Sequence, residues 1–140
     1  MIDTKKYTLE ILNLQANNTL VGHLGIEITS VGENFIEGRM PVDSRTIQPA
    51  GLLHGGASVA LAETLGSIAA NCSVNDSEKL CVGLEINANH IRSARSGFVI
   101  GRAEPIHIGK STQVWEIKIR DEAHKMICIS RITLAVVEKK

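Results

Sequence analysis

Gln48-Pro49-Ala50-Gly51-Leu52-Leu53-His54-Gly55-Gly56-Ala57-Ser58-Val59-Ala60-Leu61-Ala62-Glu63-Thr64-Leu65-Gly66-Ser67 runs from a proline-marked loop, through a glycine pair, into an apolar segment that carries one carboxylate. The spacing predicts a helix from Gly55 to about Asn71, some four to five turns long. It ends at Asn and Ser residues before Asp76. A helix that is apolar all round must be buried, and an ionised carboxylate there is disfavoured unless partners hold it. Glu63 therefore asks for an explanation. At the helix head, Gly55 and Gly56 offer free backbone N–H groups and the positive end of the macrodipole, which together favour an oxygen carrying negative charge.

Outward from the helix, the flanks read as strands. Leu24 to Val31 and Phe35 to Val42 are extended segments around the turn Gly32-Glu33-Asn34. After the helix, Leu80, Val82, Leu84, Ile86 and Ala88 alternate with other residues, and Phe98 to Ile108, Thr112 to Ile119 and Met126 to Val137 follow. The breaks at Ser96-Gly97, Gly109-Lys110 and Asp121 to His124 are short, which suits antiparallel neighbours. Two strands, one apolar helix and four strands predict an α+β fold, an antiparallel curved sheet wrapped around one long central helix. Leu9, Ile11, Leu12, Leu14 and Ala16 predict a short helix stopped by Asn17-Asn18, so residues 1–19 read as an N-terminal helical extension of a single domain covering 1–140.

Composition narrows the function. Of 140 residues 44% are apolar, enough for one core. Fifteen Lys plus Arg balance fifteen Asp plus Glu, so no net field draws the chain to nucleic acid or an anionic membrane. Aromatics are 3%, too few for a base-stacking platform. No run approaches the length of a membrane span, and the start lacks the apolar core of a signal peptide. Cys72, Cys81 and Cys128 form no CxxC pair, which points to free thiols in a reducing compartment, the cytoplasm. His23, His54, His90, His107 and His124 show no metal-ligand spacing, so neither metal nor other cofactor is expected.

Ser67 lies one turn after Glu63 on the same face. The bland reading is a solvent-facing glutamate on an amphipathic helix, but the segment offers little polar face beyond Ser58 and Thr64. A carboxylate and a serine together suit general-base or nucleophilic work on a carbonyl. Gln48, His54 and Gly55 add a polarising amide and an oxyanion N–H, the parts that acyl transfer requires. No Gly-x-Ser-x-Gly elbow is present, which argues against a serine nucleophile. Arg92, Arg95 and Lys110, with Ser93 and Ser111, flank strand ends, where they either hold phosphates or are simply solvated.

Met40 to Thr46, Gln48-Pro49, Gly51 to Ser58, Leu61-Ala62-Glu63 and Val82-Gly83-Leu84-Glu85-Ile86-Asn87-Ala88-Asn89-His90 resemble hotdog-fold acyl-CoA thioesterases. The likeness runs from about Leu20 to Val137. It is nearest to the branch holding the 1,4-dihydroxy-2-naphthoyl-CoA thioesterase of menaquinone synthesis, the enterobactin-pathway proofreading thioesterase and the phenylacetate-pathway enzymes. The resemblance implies protomers paired edge to edge, dimers paired again into tetramers, and a site across the dimer interface. It places the Gly55 N–H on the thioester oxygen, Gln48 and His54 beside the thioester, and Glu63 with Ser67 from the partner. Val82, Gly83, His90, Arg92, Ser93, Gly109, Lys110 and Ser111 are implied to bind substrate or line the CoA passage. Ala50 stands where the family carries a larger aromatic, which implies more room beside the acyl group. Other readings of the same fold are a noncatalytic acyl-CoA-binding regulatory module and a dehydratase. His54-Gly55-Gly56 stands where the dehydratases resemble His-Phe-Pro.

Overall fold

Two periodicities build the molecule, period two in the strands and the 3.6-residue period in the one long helix. The computed structural model describes residues 1–140. In chain order it forms α1 (Leu9–Leu14), α2 (Leu20–His23), β1 (Glu27–Gly32), β2 (Phe35–Pro41), α3 (Gly55–Cys72), β3 (Lys79–His90), β4 (Phe98–Ile108), β5 (Thr112–Asp121) and β6 (Met126–Glu138). The strands make one antiparallel sheet in the order β1-β2-β4-β5-β6-β3. Because α3 connects β2 to the far edge strand, it lies across the sheet and is the centre of the core. This is the α+β arrangement that the sequence implies.

Alternation decides what faces the helix. On β5, Gln113, Trp115, Ile117 and Ile119 are fully buried, while Glu116, Lys118 and Arg120 face away and are half-buried. From α3 the facing residues are Ala57, Ser58, Leu61, Ala62, Leu65, Gly66, Ala69 and Ala70, all buried. Leu61 and Leu65 are completely buried, each worth about 1.5–3 kcal/mol over an exposed position. Small residues let helix and sheet approach closely: a Cβ on Gly66 would stand 2.6 Å from Ile132 Cγ2, and one on Gly101 2.6 Å from Leu65 Cδ1. The buried Gln113 carboxamide is paired on both sides. Trp115 Nε1 donates to Gln113 Oε1 (2.7 Å), and Gln113 Nε2 donates to Ser73 Oγ (3.0 Å), tying the helix end to the sheet.

Three details differ from expectation. Leu24 to Ile26 are not strand: Leu24 caps α2, and Gly25 takes φ +72°, a left-handed turn that ends extended structure before Glu27. On β3 the apolar alternation does not mark one face. The register slips between Gly83 and Glu85, and a bulge reverses which residues point inward. Leu80, Val82 and Leu84 are therefore exposed, while Ile86 and Ala88 pack on the core. Finally, α3 is not covered all round. Its Val59, Ala60, Glu63, Thr64, Ser67 and Ile68 face is half-buried, flanked by the N-terminal segment, whose Ile2 and Leu12 reach the core.

The two sheet edges are treated differently. On β1, the Asn13 carboxamide satisfies Ile28 as a neighbouring strand would, Nδ2 donating to the carbonyl (2.9 Å) and Oδ1 accepting the N–H (2.8 Å). On β3, Asn71 does the same at Cys81 (3.1 and 2.9 Å). From Val82 to His90 the outer edge of β3 carries no such cover.

Candidate active site

The loop before α3 is held by its own hydrogen bonds. Thr46 is buried and donates from Oγ1 to the Pro41 carbonyl (2.7 Å), and its own carbonyl accepts the His54 N–H (2.8 Å). Within the loop, the Gln48 N–H donates to Leu52 O (2.8 Å), and Gly51 adopts φ +83° to reverse the chain. The Gln48 side-chain carbonyl accepts the Ala50 N–H, leaving its NH2 group free to donate. His54 then caps α3: its Nδ1 accepts the Gly56 N–H at 2.8 Å. The Gly55 N–H has no partner.

That free N–H borders a groove of about 290 Å3 lined by Gln48, Gly55, Ser58, His90, Arg92 and Ser93, among others. The His90 ring packs against the Gly55 backbone so closely that a Cβ on Gly55 would meet Nε2 at 3.0 Å. A free helix-head N–H, an amide donor and two cationic or polar loop residues make this an anion-stabilising groove.

Glu63 lies elsewhere. With Ser67 and Thr64 it borders a second cavity, of about 360 Å3, whose far wall is Leu12, Ala16 and Val21. Its carboxylate lies over β3, where a Cβ on Gly83 would stand 2.7 Å from Oε2. Glu63 enters none of the side-chain hydrogen bonds or salt bridges. Thr64 is occupied with the Ala60 carbonyl (2.7 Å), and no hydrogen bond joins Ser67 to Glu63.

The expected site residues thus form two groups within one chain. Gln48, Gly55, His90, Arg92 and Ser93 share the first groove, with His54 exposed at its rim as the helix cap. Glu63 and Ser67 share the second cavity, beside Gly83 and the exposed Val82. The turn Gly109-Lys110-Ser111 belongs to neither. The register places Thr112 opposite Ala135 and Ala135 opposite Val82, whereas His90 pairs with Cys128. From Cys128 to Ala135 is roughly 23 Å along β6 at about 3.3 Å per residue, so this turn and the His90-Arg92-Ser93 segment lie at opposite ends of the sheet. Ala50 is exposed at the loop tip and does not line the first groove. Ser58, buried on the core side of α3, does line it. Leu12 and Val21 escaped sequence reasoning as walls of the Glu63 cavity, because their proximity to Glu63 is wholly long-range.

The thioesterase superfamily model matches residues 50–128. The chain belongs to the thioesterase superfamily. It is 51% identical, over 98% of its length and 100% of the relative's, to the 1,4-dihydroxy-2-naphthoyl-CoA hydrolase of Escherichia coli. It is 50% identical to the proofreading thioesterase EntH of Cronobacter turicensis, over 98% and 99% of the two chains. A crystal structure of a thioesterase from Haemophilus influenzae superposes with a TM-score of 0.94 at 54% identity, covering 99% of this chain and 96% of that one. For a thioesterase the two groups are complementary: one offers donors to a carbonyl oxygen, the other a carboxylate able to activate water or attack the carbon.

Proposed function

We propose that this protein hydrolyses acyl-CoA thioesters, aryl acyl groups and 1,4-dihydroxy-2-naphthoyl-CoA among them, and that residues 1–140 act as a single hotdog domain in an edge-paired dimer or dimer of dimers. The thioester carbonyl oxygen accepts the Gly55 N–H of one protomer, with Gln48 and His54 positioning it. Glu63, with Ser67 beside it, comes from the partner. In one route Glu63 takes a proton from water as the water oxygen attacks the carbonyl carbon. The tetrahedral oxyanion then collapses, the C–S bond breaks, and CoA leaves as the thiol once protonated. In the other route Glu63 itself attacks, CoA leaves, and water cleaves the mixed anhydride. Label from heavy-oxygen water appears in Glu63 after a single turnover only in the second route.

The observation that carries this reading is the unpaired Glu63 carboxylate lying over Gly83, on the stretch of β3 that nothing covers. Pairing two such edges antiparallel, with a two-fold near Ile86, brings the Gly83 region of one protomer toward the partner's His90 and Gly55. Arg92 and Ser93 at the groove mouth suit CoA phosphates. Three free, buried cysteines support a cytoplasmic location. Glu63→Gln keeps shape and removes the base or nucleophile, so thiol release should fall at least about a hundredfold with an unchanged circular dichroism spectrum. Near wild-type turnover in this variant would falsify the role given to Glu63.

A further inference from the structure

The half-buried face of α3 carries three cavities in series. The first, about 300 Å3, runs from Gly56 to Glu63. The second, about 360 Å3, runs from Glu63 to Ile68. The third, about 310 Å3, runs from Ser67 to Cys72 and is closed by Tyr7, Asp76, Lys79 and Leu80. Leu12 of α1 borders both the second and the third, opposite Ser67 and Ile68. It is 3% exposed and the one buried residue of its helix.

We propose that Leu12 is the end stop of the acyl chamber and sets the length of acyl group the enzyme accepts. This rests on the reading that the reaction takes place at Glu63. β3 runs from Lys79, beside the third cavity, to His90, beside the helix head. An acyl group reacting over Gly83 and extending away from the partner's groove therefore passes down α3, through the second cavity, and meets Leu12. The stop is held rigidly. Asn13, the next residue, is clamped to Ile28 at 2.9 and 2.8 Å, and Tyr7 donates to Asp76 Oδ2 at 2.9 Å. Beyond Leu12, the side chains of Ile68, Cys72 and Leu80 offer apolar surface that an acyl tail reaches only when the partition is cut back.

The test compares kcat/KM for hexanoyl-, decanoyl- and tetradecanoyl-CoA, by thiol release, in wild type, Leu12→Ala and Leu12→Phe. Ratios are taken between substrates on one preparation, so any loss of folded enzyme cancels. Leu12→Ala should raise the tetradecanoyl-to-hexanoyl ratio at least about tenfold, since each added methylene in a fitted pocket discriminates on that order. Leu12→Phe should lower the decanoyl-to-hexanoyl ratio. If Leu12→Ala does not fold, Leu12→Val and Leu12→Phe decide. Unchanged ratios in the folded variants overturn the stop and send the acyl group toward Val59 and Ala60 instead. Glu63→Gln in the same assay separates the two claims: lost turnover with unchanged ratios sinks the stop alone, whereas retained turnover sinks the site reading beneath it.

Discussion

At Gly83 only a hydrogen separates β3 from the Glu63 carboxylate. A methyl group there would stand 2.7 Å from Oε2, and the carboxylate, bound to nothing else, has no anchor against being pushed aside. Displacing a reacting group by about 1 Å can cost on the order of a hundredfold. Gly83→Ala is therefore expected to lower kcat by about ten- to a hundredfold while the melting temperature stays near wild type. An unchanged kcat would mean that Glu63 needs no such position. Glu63 was legible because a lone carboxylate in an apolar helix stands out against its neighbours. That it reaches over Gly83 was not, since the contact depends on where β3 returns beneath α3. Cys72 illustrates the converse. Burial pushes its thiol up to about 12, so it stays protonated near neutrality and belongs to the core.

Among the elements, α1 and the segment before it take their place from pairings that local sequence does not advertise. Lys6 Nζ lies 2.7 Å from Asp76 Oδ1, and this bond, then the one from Tyr7, holds the Asp76 carboxyl below the usual carboxylate range. The folded chain thus ionises Asp76 more readily than the unfolded chain does. The contact is at full strength above the unfolded value, about 3.9, and is lost as pH falls through the lower, folded one. Asp76→Asn should melt below wild type by a constant margin between about pH 5 and 8, with the margin closing below about pH 4. A margin indifferent to acid would show that the contact contributes nothing through charge. The start of α3 was readable from His54-Gly55-Gly56, whereas α1 stops at Leu14, ahead of Asn17-Asn18, and the short α2 at Leu20–His23 had no counterpart in the sequence reading. The reversal of facing along β3 was not readable either, because a bulge is one extra residue with no periodic signature.

For the whole molecule, β3 is the element on which the proposed pairing rests. Asn13 covers the β1 edge and Asn71 covers Cys81, which leaves Val82 to His90 as the open edge, with Val82 39% and Leu84 62% exposed. An uncovered edge of this kind is a template for pairing, and the dimer proposed above would close it about a two-fold axis. If each active site combines the Gly55 groove of one subunit with the partner's Glu63, inactive Glu63→Gln and Gln48→Ala subunits should regain activity when mixed, denatured and refolded together. About a quarter of the wild-type rate is the statistical expectation for random pairing in a symmetric dimer. Mixing that restores nothing, or a fully active monomer in sedimentation at assay concentration, would place both groups in one chain.

The sequence by itself determined the strand and helix order, the single long helix, the antiparallel sheet and the candidate residues Gln48, Gly55 and Glu63, because periodicity, glycine placement and a carboxylate out of context are local properties. The resemblance already implied that Glu63 and Gly55 act from different protomers; only the tertiary structure decided that, within one chain, Gly109 to Ser111 sit away from His90 to Ser93, that Ala50 stands outside the groove, and that Leu12 walls the Glu63 cavity. Each of these depends on strand register and on how a distant segment docks. Those are set by the packing of side chains far apart in the chain, where no short stretch of sequence carries the signal.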